Sequence, residues 1–133
     1  MSKIVFAHGL NLEGANLSRV TLERTNLRVC NLRRANLSEA NLTRANLELC
    51  HLEGAIFAHA NLERIYLQGS NLSSVDFTGA NLQGADLTAT DLTGAKITEE
   101  QIKTVKWLDC AIMPDGTYKV YDQERCQYLT PVK

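Results

Sequence analysis

Four cysteines are the side chains of this sequence best suited to metal binding or redox chemistry. They are Cys30, Cys50, Cys110 and Cys126. None of them forms the short Cys-x-x-Cys spacing typical of zinc sites, so we expect no metal site. Cys30 and Cys50 are predicted to be reduced core residues, because their position in the repeat described below otherwise carries small side chains. Cys110 and Cys126 could form a disulfide if the compartment is oxidising.

Histidine and carboxylate side chains do not fall into a catalytic arrangement. His8, His51 and His59 occupy different positions of the repeat, so they are not expected to share a metal ion. Three aspartates of the repeat stand where most units carry asparagine, and we expect them to share its structural role. The sequence also lacks a Ser-His-Asp or Cys-His arrangement and a phosphate-binding glycine loop. We therefore predict that the protein is not an enzyme and needs no cofactor.

A five-residue repeat runs through most of the chain and must position all of these side chains. With positions 12, 17, 22 and so on to 97 taken as centres, eighteen units follow one another without an insertion. Fifteen centres are leucine, and the others are Phe57, Phe77 and Ile97. The residue two before the centre is small in fourteen units, and the residue just before it is Asn or Asp in thirteen. An internal repeat of this kind indicates the architecture more strongly than any other sequence signal.

The period of five excludes both an amphipathic helix and a flat strand. On an α-helix, a step of five rotates the next centre by about 140°, so the leucines would point to all sides. On a straight strand, an odd step would send successive leucines to opposite faces. All centres can point inward only if the chain turns a corner in each unit. Asparagine before the centre and glycine at the end of several units suit such corners, so the repeat predicts a solenoid.

Individual units resemble the A(D/N)LXX motif of the pentapeptide-repeat family. Clear examples are Ala35-Asn36-Leu37-Ser38-Glu39 and Ala80-Asn81-Leu82-Gln83-Gly84. The resemblance implies an all-β solenoid, a right-handed quadrilateral parallel β-helix with four units, or 20 residues, per coil. The sequence agrees with that number, because Phe57 and Phe77 lie 20 apart, as do Cys30 and Cys50. About four and a half coils would form a rod roughly 20 Å long.

The two ends depart from the repeat. Residues 1–9 are predicted to be a degenerate first unit and amino-terminal cap, residues 10–99 the solenoid, and residues 100–133 a capping helix and tail. Thr98 with Gln101 is typical of a capping box opening a helix of about eleven residues, with Ile102, Val105 and Leu108 on its apolar face. A turn at 114–116 and a short strand at 117–121 follow. Residues 111–117 also resemble a tail of bacterial, especially cyanobacterial, family members.

Charge and hydropathy narrow the set of partners. The formal net charge is −1, and residues 10–99 hold eight Lys and Arg against ten Asp and Glu, so we expect no nucleic-acid partner. No apolar segment approaches the roughly 20 residues of a membrane span, and the amino terminus does not look like a signal peptide. We therefore expect no membrane partner and a cytoplasmic location.

Two groups of outward residues form the candidate interaction surface. With 20 residues per coil, Arg24, Arg44 and Arg64 stack in one column. Such a stripe could contact an acidic partner, although neighbouring glutamates also suit a solvated surface. The second group is Val29, Leu49 and Tyr66, which is apolar enough to need a covering element. The protein's own tail, a second copy or a foreign partner could supply it.

The sequence favours a non-catalytic structural or protein–protein interaction module. Its partner is an unknown protein, and the chain itself is expected to be a monomer or a weak homodimer. The alternative is a DNA-mimicking regulator of a topoisomerase such as gyrase, an activity that the family resemblance implies for some members. Those members present a long, strongly acidic rod. The short, nearly neutral rod predicted for this chain disfavours the alternative.

Overall fold

The chain winds into a coil in which residues 20 positions apart form parallel β-bridges. The computed structural model describes residues 7–120 and 123–133. Parallel bridges run from Asn11 and Asn31 to Asp76 and Lys96, and a turn follows each bridge. With one turn in every five residues, each coil of 20 residues has four sides. Each side is a single bridge wide within the described residues, so it forms no extended strand.

Most units close through a hydrogen-bonded turn, and an Asn or Asp side chain before the centre supports many of these turns. In the unit centred on Leu37, the side-chain oxygen Oδ1 of Asn36 accepts hydrogen bonds from the Ser38 amide at 3.0 Å and the Ser38 hydroxyl at 2.6 Å. The Ala40 amide then donates to the Leu37 carbonyl at 3.1 Å. The left-handed conformation falls on Glu39, whose φ is 58°. Glycine is favoured at this last position, because a turn of this kind needs a positive φ there.

The centres and the small residues two before them fill the interior. Leu47, Leu62 and Leu72 are fully buried, which confirms the predicted inward face. The rings of Phe57 and Phe77 stack with their centroids 5.6 Å apart and their planes within 6° of parallel. Large side chains 20 residues apart therefore stack coil upon coil.

The amino-terminal coil is less enclosed than the coils that follow it. Leu12, Leu17 and Leu22 are only partly buried, although they pack against the core. The Ala7 amide donates to the Asn26 carbonyl at 2.8 Å, so Ala7 lies in register with the first coil. Most of the predicted amino-terminal cap, residues 1–6, lies outside the described residues.

The repeat gives way to a short helix, α1, which spans Glu99–Thr104. Thr98 and Gln101 form the predicted capping box. The prediction of about eleven helical residues was wrong, because the helix has six and Val105 is already extended. The side-chain nitrogen Nε2 of Gln101 donates to the carbonyls of Phe77 and Ala80 at 2.7 and 3.0 Å, so α1 is fastened to the preceding coil.

After α1 the chain returns to the coil with its register shifted by one residue. Trp107 pairs with Asp86 and Ile112 pairs with Asp91, so the offset is now 21. Leu108, which follows Trp107, therefore takes the place of a repeat centre. It packs against the core, although the sequence placed it on the face of a helix. Ile102, Val105 and Leu108 are spaced three residues apart, as on a helix face, although only Ile102 lies in α1. This spacing explains why a longer helix was predicted.

The rest of the chain forms a tail that a disulfide ties to the last coil. Tyr118 pairs antiparallel with Ile112 beyond the predicted turn, and Tyr121 lies outside the described residues. A second helix, α2, spans Gln123–Cys126. Cys110 and Cys126 are joined by a disulfide, with their Cα atoms 5.1 Å apart. Within 7–120 and 123–133, neither helix is long and apolar enough to cross a membrane.

The other two cysteines are buried thiols, as the sequence predicts. Cys30 and Cys50 are free and fully buried, and their sulfur atoms contact the carbonyl oxygens of Ala7 and Leu27 at 3.1 and 3.0 Å. Burial raises the pKa of the Cys50 thiol to about 12. This thiol therefore stays protonated at neutral pH, and the thiolate that reacts with electrophiles does not form.

We expect Leu62→Ala to lower the free energy of unfolding by about 2 to 5 kcal/mol, because it removes buried methyl groups and leaves a cavity. The matched control is Gln83→Ala, since Gln83 is an exposed residue one coil further along the chain. Chemical denaturation measures both variants. Equal losses of stability would contradict the assignment of inward and outward columns.

We expect the native, unreduced protein to show no titratable thiol with a chromogenic thiol reagent, because the two free cysteines are buried. Denaturation without reductant should release two thiols, and reduction should raise the number to four. A thiol that reacts in the native protein would show that the coil around Cys30 and Cys50 opens readily. Four thiols without reductant would show that the disulfide is absent.

Candidate protein-interaction surface

All six residues of the candidate interaction surface lie on one side of the coil or at its two corners. The middle column of this side is made of bridging residues, and we call this column the Tyr66 face. The column consists of Asn26, Asn46, Tyr66, Asp86 and Trp107. The arginine corner, Arg24, Arg44 and Arg64, lies along one edge, and the apolar corner, Val29 and Leu49, lies along the other. The two groups therefore belong to a single surface.

The arginine corner is exposed and, within the described residues, forms no ion pair. Its three residues have φ between 54° and 57°, which turns their side chains outward at the corner. Elsewhere, arginines pair with a glutamate on the next coil, as in Arg19 with Glu39 and Arg28 with Glu48. In the arginine corner the residue 20 positions on is another arginine. Among the residues that the structure describes, no ion pair involves these three arginines.

The side chain of Arg64 lies against Gly84 of the next coil. A Cβ atom built on Gly84 would lie only 3.0 Å from Cγ of Arg64. The aliphatic part of Arg64 therefore occupies the space that a side chain at Gly84 would fill. This packing brings Arg64 into the lining of a cleft of about 520 Å³ that also contains Tyr66 and Trp107.

Two exposed aromatic rings stand two coils apart on the Tyr66 face. Tyr66 is 44% exposed and Trp107 is 53% exposed. Between them, Asp86 accepts hydrogen bonds from the Gln68 side chain at 2.7 Å and the Thr88 amide at 3.0 Å. The Lys106 ammonium nitrogen lies 5.6 Å from the Trp107 ring centroid, within the range of a cation–π interaction.

Trp107 also borders a second cleft, of about 770 Å³, beside α1. Three lysines contribute to its lining: Lys103, Lys106 and Lys119. The sequence analysis missed Trp107, because the one-residue insertion moves it out of the regular count. The renewed five-residue spacing from Leu108 to Met113 is the signal that could have placed it.

The end of the tail lies beside one residue of the apolar corner, Leu49. The Val132 amide donates to the Gly69 carbonyl at 2.8 Å, and residues 128–130 line a cleft of about 430 Å³ with Leu49. Leu49 is partly buried, whereas Val29 remains 48% exposed. The tail therefore lies beside Leu49 and leaves Val29 and Tyr66 accessible.

The carboxylates expected to replace asparagine do take its structural role. Asp76 accepts hydrogen bonds from the Thr78 hydroxyl and amide, and Asp91 accepts the same pair from Thr93. The hydrogen bond from the Thr78 hydroxyl is the main cause that lowers the pKa of the Asp76 carboxyl. Such a group stays ionised at neutral pH and supports the turn.

One histidine contacts an arginine, and one group of potential metal ligands lies near the end of the coil. The Nδ1 atom of His51 lies 3.0 Å from an Arg33 guanidinium nitrogen, on another side of the coil. Within the described part of the chain, the one group of potential metal ligands is Asp109, Cys110 and Cys126. The two cysteines of that group are joined to each other in the disulfide.

Comparisons with known proteins agree with this architecture. Residues 11–48, 30–69 and 55–94 match the family described as pentapeptide repeats. No curated protein matches the sequence significantly.

Solved structures of pentapeptide repeat proteins resemble this coil. HetL of the cyanobacterium Nostoc sp. strain PCC 7120, involved in heterocyst differentiation regulation, is 35% identical with a TM-score of 0.68. The match covers 86% of this chain and 55% of HetL, so the chain spans about half of that protein. A pentapeptide repeat protein of the cyanobacterium Cyanothece 51142 is 29% identical, with 71% of this chain and 81% of that chain covered and a TM-score of 0.41. The chain belongs to the pentapeptide-repeat family.

Proposed function

We propose that this protein is a non-catalytic protein-interaction module that binds its partner through the Tyr66 face and the arginine corner. The observation that carries the proposal is the exposure of Tyr66 and Trp107 in one column of the coil. Trp, Tyr and Arg are the residues most enriched among those that dominate binding energy in protein interfaces. All three kinds of side chain occur together on this side.

The scaffold suits such a role because its surface is held by the backbone. Each residue of the Tyr66 face is a bridging residue, so its position is determined by hydrogen bonds to neighbouring coils. A preorganised surface loses little conformational entropy when it binds. The similarity to HetL, a pentapeptide repeat protein involved in regulation, supports a regulatory binding role for this chain as well.

The finer description of the scaffold is part of the same proposal. We infer a right-handed quadrilateral helix of about four and a half coils within residues 10–99, closed at its carboxyl end partly by α1 and partly by the bridging residues that follow it. The hydrogen bonds from Gln101 to the carbonyls of Phe77 and Ala80 support this closure. Core packing of Ile102, Val105 and Leu108 supports it further, since these side chains cover an apolar end.

We expect the double variant Tyr66→Ala, Trp107→Ala to lose a protein that the tagged wild-type protein captures from a lysate of its source organism. The physical reason is the loss of two large aromatic contacts from the binding side. Quantitative mass spectrometry of the captured proteins measures the loss. The matched control is Ile56→Ala, because Ile56 is an exposed bridging residue on a different side of the coil. Equal loss with the control, or full retention by the double variant, would contradict the proposed surface.

We expect the purified protein to leave DNA supercoiling by gyrase unchanged. A DNA mimic must present a continuous acidic surface, whereas this chain has a net charge of −1 and an arginine corner along its interaction side. A supercoiling assay over increasing protein concentrations checks this expectation. Inhibition at stoichiometric concentrations would instead support the topoisomerase-regulator alternative.

A further inference from the structure

The arginine corner stacks three like charges along the coil. Because coils pair with an offset of 20 residues, Arg44 lies between Arg24 and Arg64, at a spacing of about 4.8 Å per coil. Like charges opposite each other on neighbouring strands are destabilising. Glu23 and Glu63 precede two of these arginines, yet the described residues contain no ion pair between them. An acidic partner would remove the repulsion that the fold leaves uncompensated.

The spacing of the corner selects the kind of acidic segment that fits it. Arg24 and Arg64 are two coils apart, which corresponds to about 10 Å. On an α-helix, residues i and i+7 are about 10.5 Å apart and lie on one face, with i+3 or i+4 between them. On an extended strand, three successive residues of one face span about 13 Å. A helix therefore places three carboxylates opposite three arginines, and a strand does not.

The chemistry of the surface changes beyond Arg64. The corner continues with Gly84, which carries no side chain, and the Tyr66 face beside it presents Tyr66 and Trp107. From Arg24 to Trp107 the surface covers four coil spacings, or about 19 Å. A helix of about 13 residues has the same length. Its first two turns would meet cations, and its last turns would meet aromatic rings.

We propose that the partner presents an amphipathic α-helix whose acidic stripe lies along the arginine corner and whose apolar end packs against Tyr66 and Trp107. The inference rests on the proposed protein-binding function and specifies its ligand. Exposed ion pairs are individually weak and sensitive to salt, so the acidic stripe sets the position of the helix. The aromatic rings at the other end supply the larger part of the affinity.

The test uses a labelled synthetic helix of about 13 residues. It carries glutamates at i, i+4 and i+7 and a leucine–phenylalanine pair one turn further on, and a second peptide has glutamine in place of each glutamate. Fluorescence anisotropy measures binding to the whole protein. Trp107 is the single tryptophan of the chain, so its emission reports on the apolar end without interference. We expect the glutamate peptide to bind and to shift that emission.

The protein variants separate the acidic stripe from general surface charge. Arg24→Gln, Arg44→Gln and Arg64→Gln together should weaken binding about tenfold, since each exposed pair contributes a factor of roughly two to three. Replacement of the same three residues with lysine should restore most of the affinity. Arg19→Gln is the matched control, because Arg19 is an exposed corner arginine that pairs with Glu39. This control should bind like the wild type.

Several results would overturn the inference. They are equal affinity for the glutamate and glutamine peptides, no binding of either peptide, an equal loss with Arg19→Gln, or displacement of the peptide by duplex DNA. Binding without a change in Trp107 emission would overturn the apolar part of the proposal. If a captured protein depends on Tyr66 and Trp107 but not on the three arginines, the proposed function stands and the acidic helix falls.

Discussion

The structure depends on one hydrogen-bonded turn that recurs in most units of the coil. The turn closes between the carbonyl of a centre, such as Leu37, and the amide three residues later, with Glu39 in the left-handed conformation. A non-glycine residue in that conformation costs of order 1 kcal/mol or more. Burial of the leucine and the small residue beside it, together with the bridges to neighbouring coils, offsets that cost. The corner and the core therefore stabilise each other.

The same turn decides how side chains meet on the surface. Residues 20 apart are brought into contact, so each column of the sequence becomes a physical stack. In the core this is favourable, as with the rings of Phe57 and Phe77. Elsewhere on the surface it pairs opposite charges, as with Arg19 and Glu39 at another corner and Arg33 and Glu53 beside a third. In the arginine corner it stacks like charges, which makes that corner an exception that a partner could exploit.

The tail modifies this surface and is the part most dependent on its surroundings. The disulfide from Cys110 ties α2 to the last coil, and the end of the chain then passes beside Leu49 to reach Gly69. A reducing cytoplasm would open such a bond, whereas an oxidising compartment would preserve it. The compartment therefore determines whether the tail is fastened beside the apolar corner.

The coil, its inward columns and the capping box could all be predicted from the amino-acid sequence. These follow from local rules, because a period of five permits only one way to bury the centres, and Thr98 with Gln101 satisfies the helix start by itself. Only the tertiary structure decided the length of α1, the path of the tail and the place of Trp107. A single inserted residue does not change local secondary-structure propensity, yet it shifts the pairing of the residues that follow it. Trp107 joins Tyr66 because bridges between coils, which are contacts remote in sequence, put it there.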